Sequence, residues 1–327
     1  MSSALMLVNP ISGTRDKRYL CQIASTALPA AGIDIEIEYT RSKGHGAELA
    51  RNATAAGKDM VIVAGGDGTV NEVATALLHT GTALGIVPCG SGNGLARTLG
   101  IPMDFEGAID IISRSKPYSI DCGIAEGMPF FCTFGVGFDA AVTEKFSACK
   151  RRGKMQYVRN TLLEFLNFTP DHYALEIDGK VYTEDAMLIA VCNTSQYGNN
   201  AYIAPRASLS DGLLDVTVIR DGSPLDQAWA GVGLLSGKID RHRIIDSFKA
   251  REVRISRQKE GPAQLDGEPL TLGREIHIKC EPSCLEVLSD GKEPEIKPII
   301  TPMQAFFNDM ISDLRYLTRP VGRLPMQ

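Results

Sequence analysis

The residues with the clearest chemical potential lie in three short loops rich in glycine and hydroxyl side chains. One is Gly65-Gly66-Asp67-Gly68-Thr69, which follows the apolar run Val61-Ile62-Val63-Ala64 and precedes a helical pattern opening at Val70. Its glycines let the backbone approach a ligand closely. The helix N-terminus that follows offers unpaired N–H donors and the positive end of a dipole, which suits phosphate. Asp67 adds a carboxylate, which a phosphate site accommodates when a cation such as Mg²⁺ stands between the two. Taken alone, the string also fits a tight turn with Asp67 as helix cap. A second loop, Pro88-Cys89-Gly90-Ser91-Gly92-Asn93-Gly94, again joins a strand-like run to a helix, Leu95–Leu99. A third, Asn9-Pro10-Ile11-Ser12-Gly13, follows the first apolar run. Such loops can wrap a triphosphate without any lysine. No G-x-x-x-x-G-K-[ST], G-x-G-x-x-G or protein-kinase string is present, so neither a P-loop nor a dinucleotide fingerprint is supported.

These loops need a scaffold that brings them together. Leu5–Val8, Ile33–Tyr39, Met60–Ala64 and Leu84–Val87 read as strands. Arg18–Ala31, His45–Ala56 and Val70–His79 read as helices between them. That alternation predicts an α/β domain with a mainly parallel sheet covered by helices on both faces. Ligands of such sheets bind at the carboxyl ends of the strands, where all three loops fall, together with Thr40–Gly44.

From about Tyr118 the rhythm changes. Phe130–Gly135, Tyr173–Ile177, Ala186–Cys192, Leu213–Ile219, Glu252–Ile255 and Glu275–Lys279 read as strands with few helices between. Turns at Asp178-Gly179-Lys180 and Asp221-Gly222 predict a mainly antiparallel β-sandwich domain. The expected division is a nucleotide-binding α/β domain over 1–120, joined by a C-terminal helix over 299–327, and a β-rich lipid-substrate domain over 121–298.

The combined motifs resemble the diacylglycerol kinase catalytic family, which includes bacterial lipid kinases and the sphingosine and ceramide kinases. The likeness is carried by Asn9–Gly13, by GGDGT at 65–69 with Val70-Asn71-Glu72, and by GSGNGLAR at 90–97 with Leu99-Gly100-Ile101-Pro102. It continues through Phe134–Asp139, Ser210–Asp215 and Asp266-Gly267-Glu268. GGDGT also occurs in NAD kinases, whose fold is related. The resemblance implies ATP contacts at Asn9, Pro10, Ile11, Ser12 and Gly13, and at Thr40. It extends them over Gly65, Gly66, Asp67, Gly68, Thr69, Val70, Asn71 and Glu72, and over Ser91, Gly92 and Asn93. It implies that Glu268 is the catalytic base for a lipid hydroxyl and that Asp67 acts with it, through Mg²⁺ on the β/γ-phosphates. It also implies a structural Mg²⁺ held by Asp211 and the carbonyls of Ser208 and Leu213. Asp266 is a weaker candidate, as a helper that orients Glu268 or as a second metal ligand. Many bacterial members carry Asp where this chain has Gly94, and the wording here is nearer the sphingosine kinases.

The implied activity is ATP-dependent transfer of the γ-phosphate to diacylglycerol or a related long-chain alcohol. The alternatives are a sphingoid base or NAD as acceptor, or a nucleotide-binding regulator without catalysis. Composition narrows the partners. The 327 residues carry 34 Lys+Arg against 39 Asp+Glu, a net charge of −5, which is a poor footprint for nucleic acid. Hydrophobic residues at 44% allow a packed core rather than a disordered chain. No apolar run is long enough to span a bilayer. The eight cysteines form no zinc spacing and, without a signal-peptide pattern, point to a reducing cytoplasm. A basic cluster at Lys145, Lys150, Arg151, Arg152, Lys154 and Arg159 and an apolar stripe from Phe306 to Leu317 are the candidate contacts for peripheral membrane association. A homodimer is compatible with all of this.

Overall fold

The computed structural model describes residues 2–141, 143, 168–198, 200–291 and 296. Four parallel strands, β1 (Ser2–Val8), β2 (Ile33–Tyr39), β3 (Met60–Gly65) and β4 (Ala83–Pro88), lie in the order β2-β1-β3-β4. Every residue of β3 and β4 is buried, as the near-continuous apolar runs of a two-sided sheet require. β2 alternates buried and exposed positions and forms the edge. Between the strands run α1 (Lys17–Ala30), α2 (His45–Ala55) and α3 (Asp67–Leu77). After β4 come the short α4 (Gly94–Thr98) and α5 (Phe105–Arg114). The chain leaves β1 for β2 on one side and returns to β3 on the other. The loops after β1 and β3 therefore diverge at a topological switch point, where open α/β sheets leave a crevice.

The rest of the chain is mostly antiparallel. It comprises β5 (Pro117–Ala125), β6 (Met128–Phe130), β7 (Thr133–Gly137), β8 (Asp171–Ile177), β9 (Lys180–Cys192) and β10 (Leu214–Arg220). It continues with α6 (Pro224–Ser236), β11 (Ile245–Ala250), β12 (Glu252–Arg257), β13 (Gly261–Leu265), β14 (Glu268–Leu272) and β15 (Glu275–Leu288). Phe130, Phe134, Tyr173, Leu175, Ile189, Val253, Ile255 and Ile276 pack in its buried core. The 14-residue β15 is shared by both halves. It pairs antiparallel with β12 and β5, and through Val287 beside Leu84 it joins β4 in parallel.

At the bulge in that spine the buried Asp121 holds three segments together. Its Oδ1 accepts from Ser283 N (2.8 Å) and its Oδ2 from Gly212 N (2.7 Å). Its carbonyl accepts from Asn193 Nδ2 (2.9 Å), and its own N–H donates to Leu209 O (2.7 Å).

Several elements differ from the sequence reading. α3 opens at Asp67, three residues before Val70, with Gly66 as its N-cap. Phe130–Gly135 divides into β6 and β7, because Phe131 and Cys132 turn their N–H groups to a side chain instead of a strand. Asp221-Gly222 does not join two strands: it leads into α6, where Ser223 and Asp226 form a capping box. Asp178-Gly179 does connect β8 and β9. The basic cluster at 145–159, the apolar stripe at 306–317 and the helix expected over 299–327 lie outside the described residues.

Replacing Asp121 by Ala removes the buried acceptor of two backbone N–H donors at the spine. The Asp121→Ala variant is expected to lose about 3 kcal/mol of stability in urea unfolding. An unchanged midpoint would show that the spine does not rest on this carboxylate.

Candidate active site

The three glycine-rich loops meet above the β1/β3 switch point. Asn9 Nδ2 donates to Thr69 Oγ1 (2.8 Å), tying the 9–13 loop to the 65–69 loop, and Asn9 Oδ1 accepts from Ile11 N (3.1 Å). Gly13 has φ +64°, and a Cβ there would collide with the Cys89 carbonyl. A Cβ on Gly90 would lie 2.8 Å from Gly66 Cα, so these backbones touch where no side chain fits.

Asp67, in the first turn of α3, closes the set. Its Oδ2 accepts from Asn93 N and its Oδ1 from Gly94 N, both at 2.8 Å. Each oxygen keeps a second lone pair. One carboxylate fixed beside glycine-rich loops is the kind of ligand that a Mg²⁺ ion combines with phosphate oxygens and water. Asn93, at φ 55°, folds its amide back on its own loop: Nδ2 donates to Gly90 O and Oδ1 accepts from Gly90 N, each 2.9 Å.

The opposite wall comes from the antiparallel half. Asp266 (φ +50°) and Gly267 (φ +81°) form the two-residue tip between β13 and β14, the positive-φ pair that a type I′ hairpin needs. The Asp266 carboxylate accepts from Phe131 N (2.8 Å), Cys132 N (2.7 Å), Thr133 N (3.0 Å) and Asn71 Nδ2 (2.8 Å). Burial pushes its carboxyl up, and these four donors oppose that. Asn71 belongs to α3, so this bond joins the two halves.

The hairpin thus presents Glu268 over the start of α3: a Cβ on Gly68 would lie 3.6 Å from Glu268 Oε1. Glu268 Oε2 is 3.3 Å from Lys43 Nζ, which reaches across from the loop after β2. Glu268 stays 61% exposed, so an acceptor can reach it.

Two comparisons address the chain's descent. Residues 3–125 match the model described as diacylglycerol kinase catalytic domain, and residues 132–289 match the one described as YegS C-terminal NAD kinase beta sandwich-like domain. The Salmonella typhimurium protein named Probable lipid kinase YegS is 31% identical over 271 residues, covering 80% of this chain and 88% of that protein. The chain belongs to the diacylglycerol kinase family of lipid kinases. The diacylglycerol kinase of Bacillus subtilis is 28% identical over 304 residues, 89% of this chain and all of that protein. A solved diacylglycerol kinase structure from Bacillus anthracis superposes with a TM-score of 0.71 at 23% identity, over 89% of this chain and 97% of that one, and shares the fold.

Within this kinase, the site residues expected from the sequence divide by what their side chains touch. Pro10, Ile11, Gly13, Gly68 and Ser91 form an exposed rim; Ser12, Gly65, Gly66 and Gly92 line the loops behind it. Thr40 is buried, with its N–H on Val8 O (3.0 Å), and Val70 packs in the core. Asn71 and Glu72 are engaged within the protein: Asn71 holds Asp266, and Glu72 Oε1 accepts from Gly44 N (2.8 Å), fixing the Lys43 loop to α3. Lys43 was not singled out in the sequence. A basic residue in the loop at the carboxyl end of β2 was the available signal for its place beside Glu268. Gly94 is packed against Cys132 Sγ, 3.2 Å from where a Cβ would be, so a side chain here would press on that sulfur.

The Asp211 turn is arranged differently from the expectation. Asp211 Oδ2 lies 2.6 Å from Lys249 Nζ, and Asp211 Oδ1 accepts from Leu213 N (3.1 Å). Ser208 Oγ accepts from Ser210 N (3.5 Å). With an ammonium group on its one carboxylate, this donor set does not fit a divalent ion. A separate cavity of about 630 Å³, lined by Gly32, Lys58, Asp59, Thr82, Ser115 and others, opens at the amino ends of the parallel strands, away from the loops.

Beneath the hairpin lies a polar pair that the sequence motif only hinted at. Gln264 Nε2 donates to Thr133 Oγ1 (3.1 Å) and to Asp139 Oδ2 (3.0 Å), while its Oε1 accepts from Gly267 N (2.8 Å). Asp139 fills the space a side chain at Gly135 would need. Burial raises its carboxyl from 3.8 to about 6, against the opposing hydrogen bond from Gln264. The folded state therefore holds the proton more tightly than the unfolded chain. Its contribution is fully present at low pH and is lost as pH rises from about 4 through 6. Asp139→Asn is expected to match the wild type near pH 4 and to exceed it by roughly 2 kcal/mol near pH 8 in urea unfolding. A constant difference across that range would remove Asp139 as the titrating group.

Proposed function

We propose that this kinase transfers the γ-phosphate of ATP to the hydroxyl of diacylglycerol or a related long-chain lipid alcohol presented at a membrane surface. The observation that carries the reading is the placement of the Glu268 carboxylate over Gly68, facing the three loops from the other half of the molecule. Phosphoryl transfer needs in-line positioning and charge neutralisation more than covalent chemistry. The loop N–H groups and the N-terminus of α3 bind the phosphate oxygens. A Mg²⁺ ion held at Asp67 would neutralise charge on the β- and γ-phosphates.

Glu268 lies within reach of a hydroxyl entering from the exposed side and takes its proton as attack proceeds. Lys43, paired with Glu268 here, shifts to the γ-phosphate when nucleotide arrives, which frees the carboxylate and adds a positive charge where negative charge develops. Asn71, Asp266 and Gln264 act at one remove by fixing the hairpin. The match to the diacylglycerol kinase catalytic model and the names of the relatives support the lipid acceptor over NAD. No helix among the described residues is long and apolar enough to cross a membrane.

Labelled ATP with Mg²⁺, offered diacylglycerol, sphingosine and NAD in turn, tests the reading. Label is expected in a lipid product and not in NADP, with Glu268→Gln lowering turnover at least about 100-fold while nucleotide binding persists. Transfer to NAD alone would overturn the acceptor class, and wild-type turnover in Glu268→Gln would remove the base.

A further inference from the structure

The turn from Ser208 to Asp215 is where the resemblance places a structural Mg²⁺, and the arrangement there points elsewhere. Lys249 Nζ lies 2.6 Å from Asp211 Oδ2 and 3.2 Å from Asp215 Oδ2, between the only two carboxylates of the turn. Both acids are mostly shielded, with side chains 30% and 13% exposed. The amine is delivered by the sheet itself, since antiparallel pairing of β10 with β11 sets Lys249 directly opposite Asp215. Asp211 Oδ1 also accepts from Leu213 N, so the carboxylate ties the ammonium to its own turn.

The chemistry of the two cations makes them exclusive. Mg²⁺ demands near-octahedral oxygen ligands at about 2.0–2.1 Å. An ammonium supplies no lone pair, and its charge repels a dication at the same carboxylate. The turn nevertheless has an anchoring task, because Gly212 N donates to Asp121 at the β5–β15 spine. Like-charged Asp211 and Asp215 beside that anchor need a counter-charge to stay in place.

We propose that the Lys249 ammonium is the built-in cation of the 208–215 turn, standing where Mg²⁺ is expected, and that the fold requires no divalent ion there. The inference is independent of the transfer reaction and of any ion that accompanies nucleotide.

The test uses the full chain without nucleotide, stripped with EDTA and then dialysed against Mg²⁺, with metal content and thermal unfolding as readouts. The wild type is expected to bind no Mg²⁺ above background and to unfold at the same temperature with or without it. Lys249→Met, which leaves two carboxylates facing each other, is expected to unfold about 3–5 °C lower in EDTA. One Mg²⁺ per wild-type chain, lost in Asp211→Asn, would overturn the proposal, as would an unchanged unfolding temperature in Lys249→Met. Should Lys249→Met fail to fold, the wild-type metal content decides alone.

Discussion

The active-site arrangement depends on one half-buried carboxylate. Asp266 accepts hydrogen bonds from three successive backbone N–H groups, at Phe131, Cys132 and Thr133, and from the Asn71 amide on α3. A half-satisfied carboxylate in that position would be costly, so its four donors are fixed together. The consequence is geometric. The backbone bonds hold the hairpin to the start of β7, and the Asn71 bond holds it to the helix whose N-terminus faces the glycine-rich loops. Glu268, two residues along, inherits its position from these constraints. Gln264 supports the same tip from below through Gly267 N.

A parallel economy governs the other wall. Asp67 lies in the loop that suggests ligand chemistry, yet its two oxygens first bind the backbone of Asn93 and Gly94. It welds the 65–69 and 88–94 loops into one surface before any nucleotide arrives. The glycine contacts between Gly66 and Gly90, and between Gly13 and Cys89, leave no space for side chains between the loops. Glu72 does the same for the Lys43 loop. Most acidic side chains of the site thus preorganise backbone donors, which is where electrostatic catalysis gains most.

Much of this was legible in the sequence. The buried strands β3 and β4 appear as unbroken apolar runs, and the loops after them are punctuated by glycine, so the parallel sheet and its ligand edge follow from pattern alone. The Asp-Gly pair before Glu268 is also a readable hairpin signal. Less legible was what a given polar residue touches. Asn71 and Glu72 lie beside a nucleotide motif, but their partners, Asp266 and Gly44, are distant in sequence and set by tertiary packing. The same holds for Asp211, whose neighbour Lys249 becomes visible only through the pairing of β10 with β11. Local propensity also misplaced the start of α3, since Gly66 serves as N-cap and the acid read as a loop residue is the first helical one.

The central claim is that Asn71 works through Asp266 to position Glu268 and does not grip the nucleotide. Steady-state kinetics of Asn71→Ala, with ATP affinity measured separately, tests it most directly. The account predicts kcat reduced about 10–100-fold with ATP affinity unchanged, as misplacement of a catalytic group entails. Weakened ATP binding with kcat intact would contradict it.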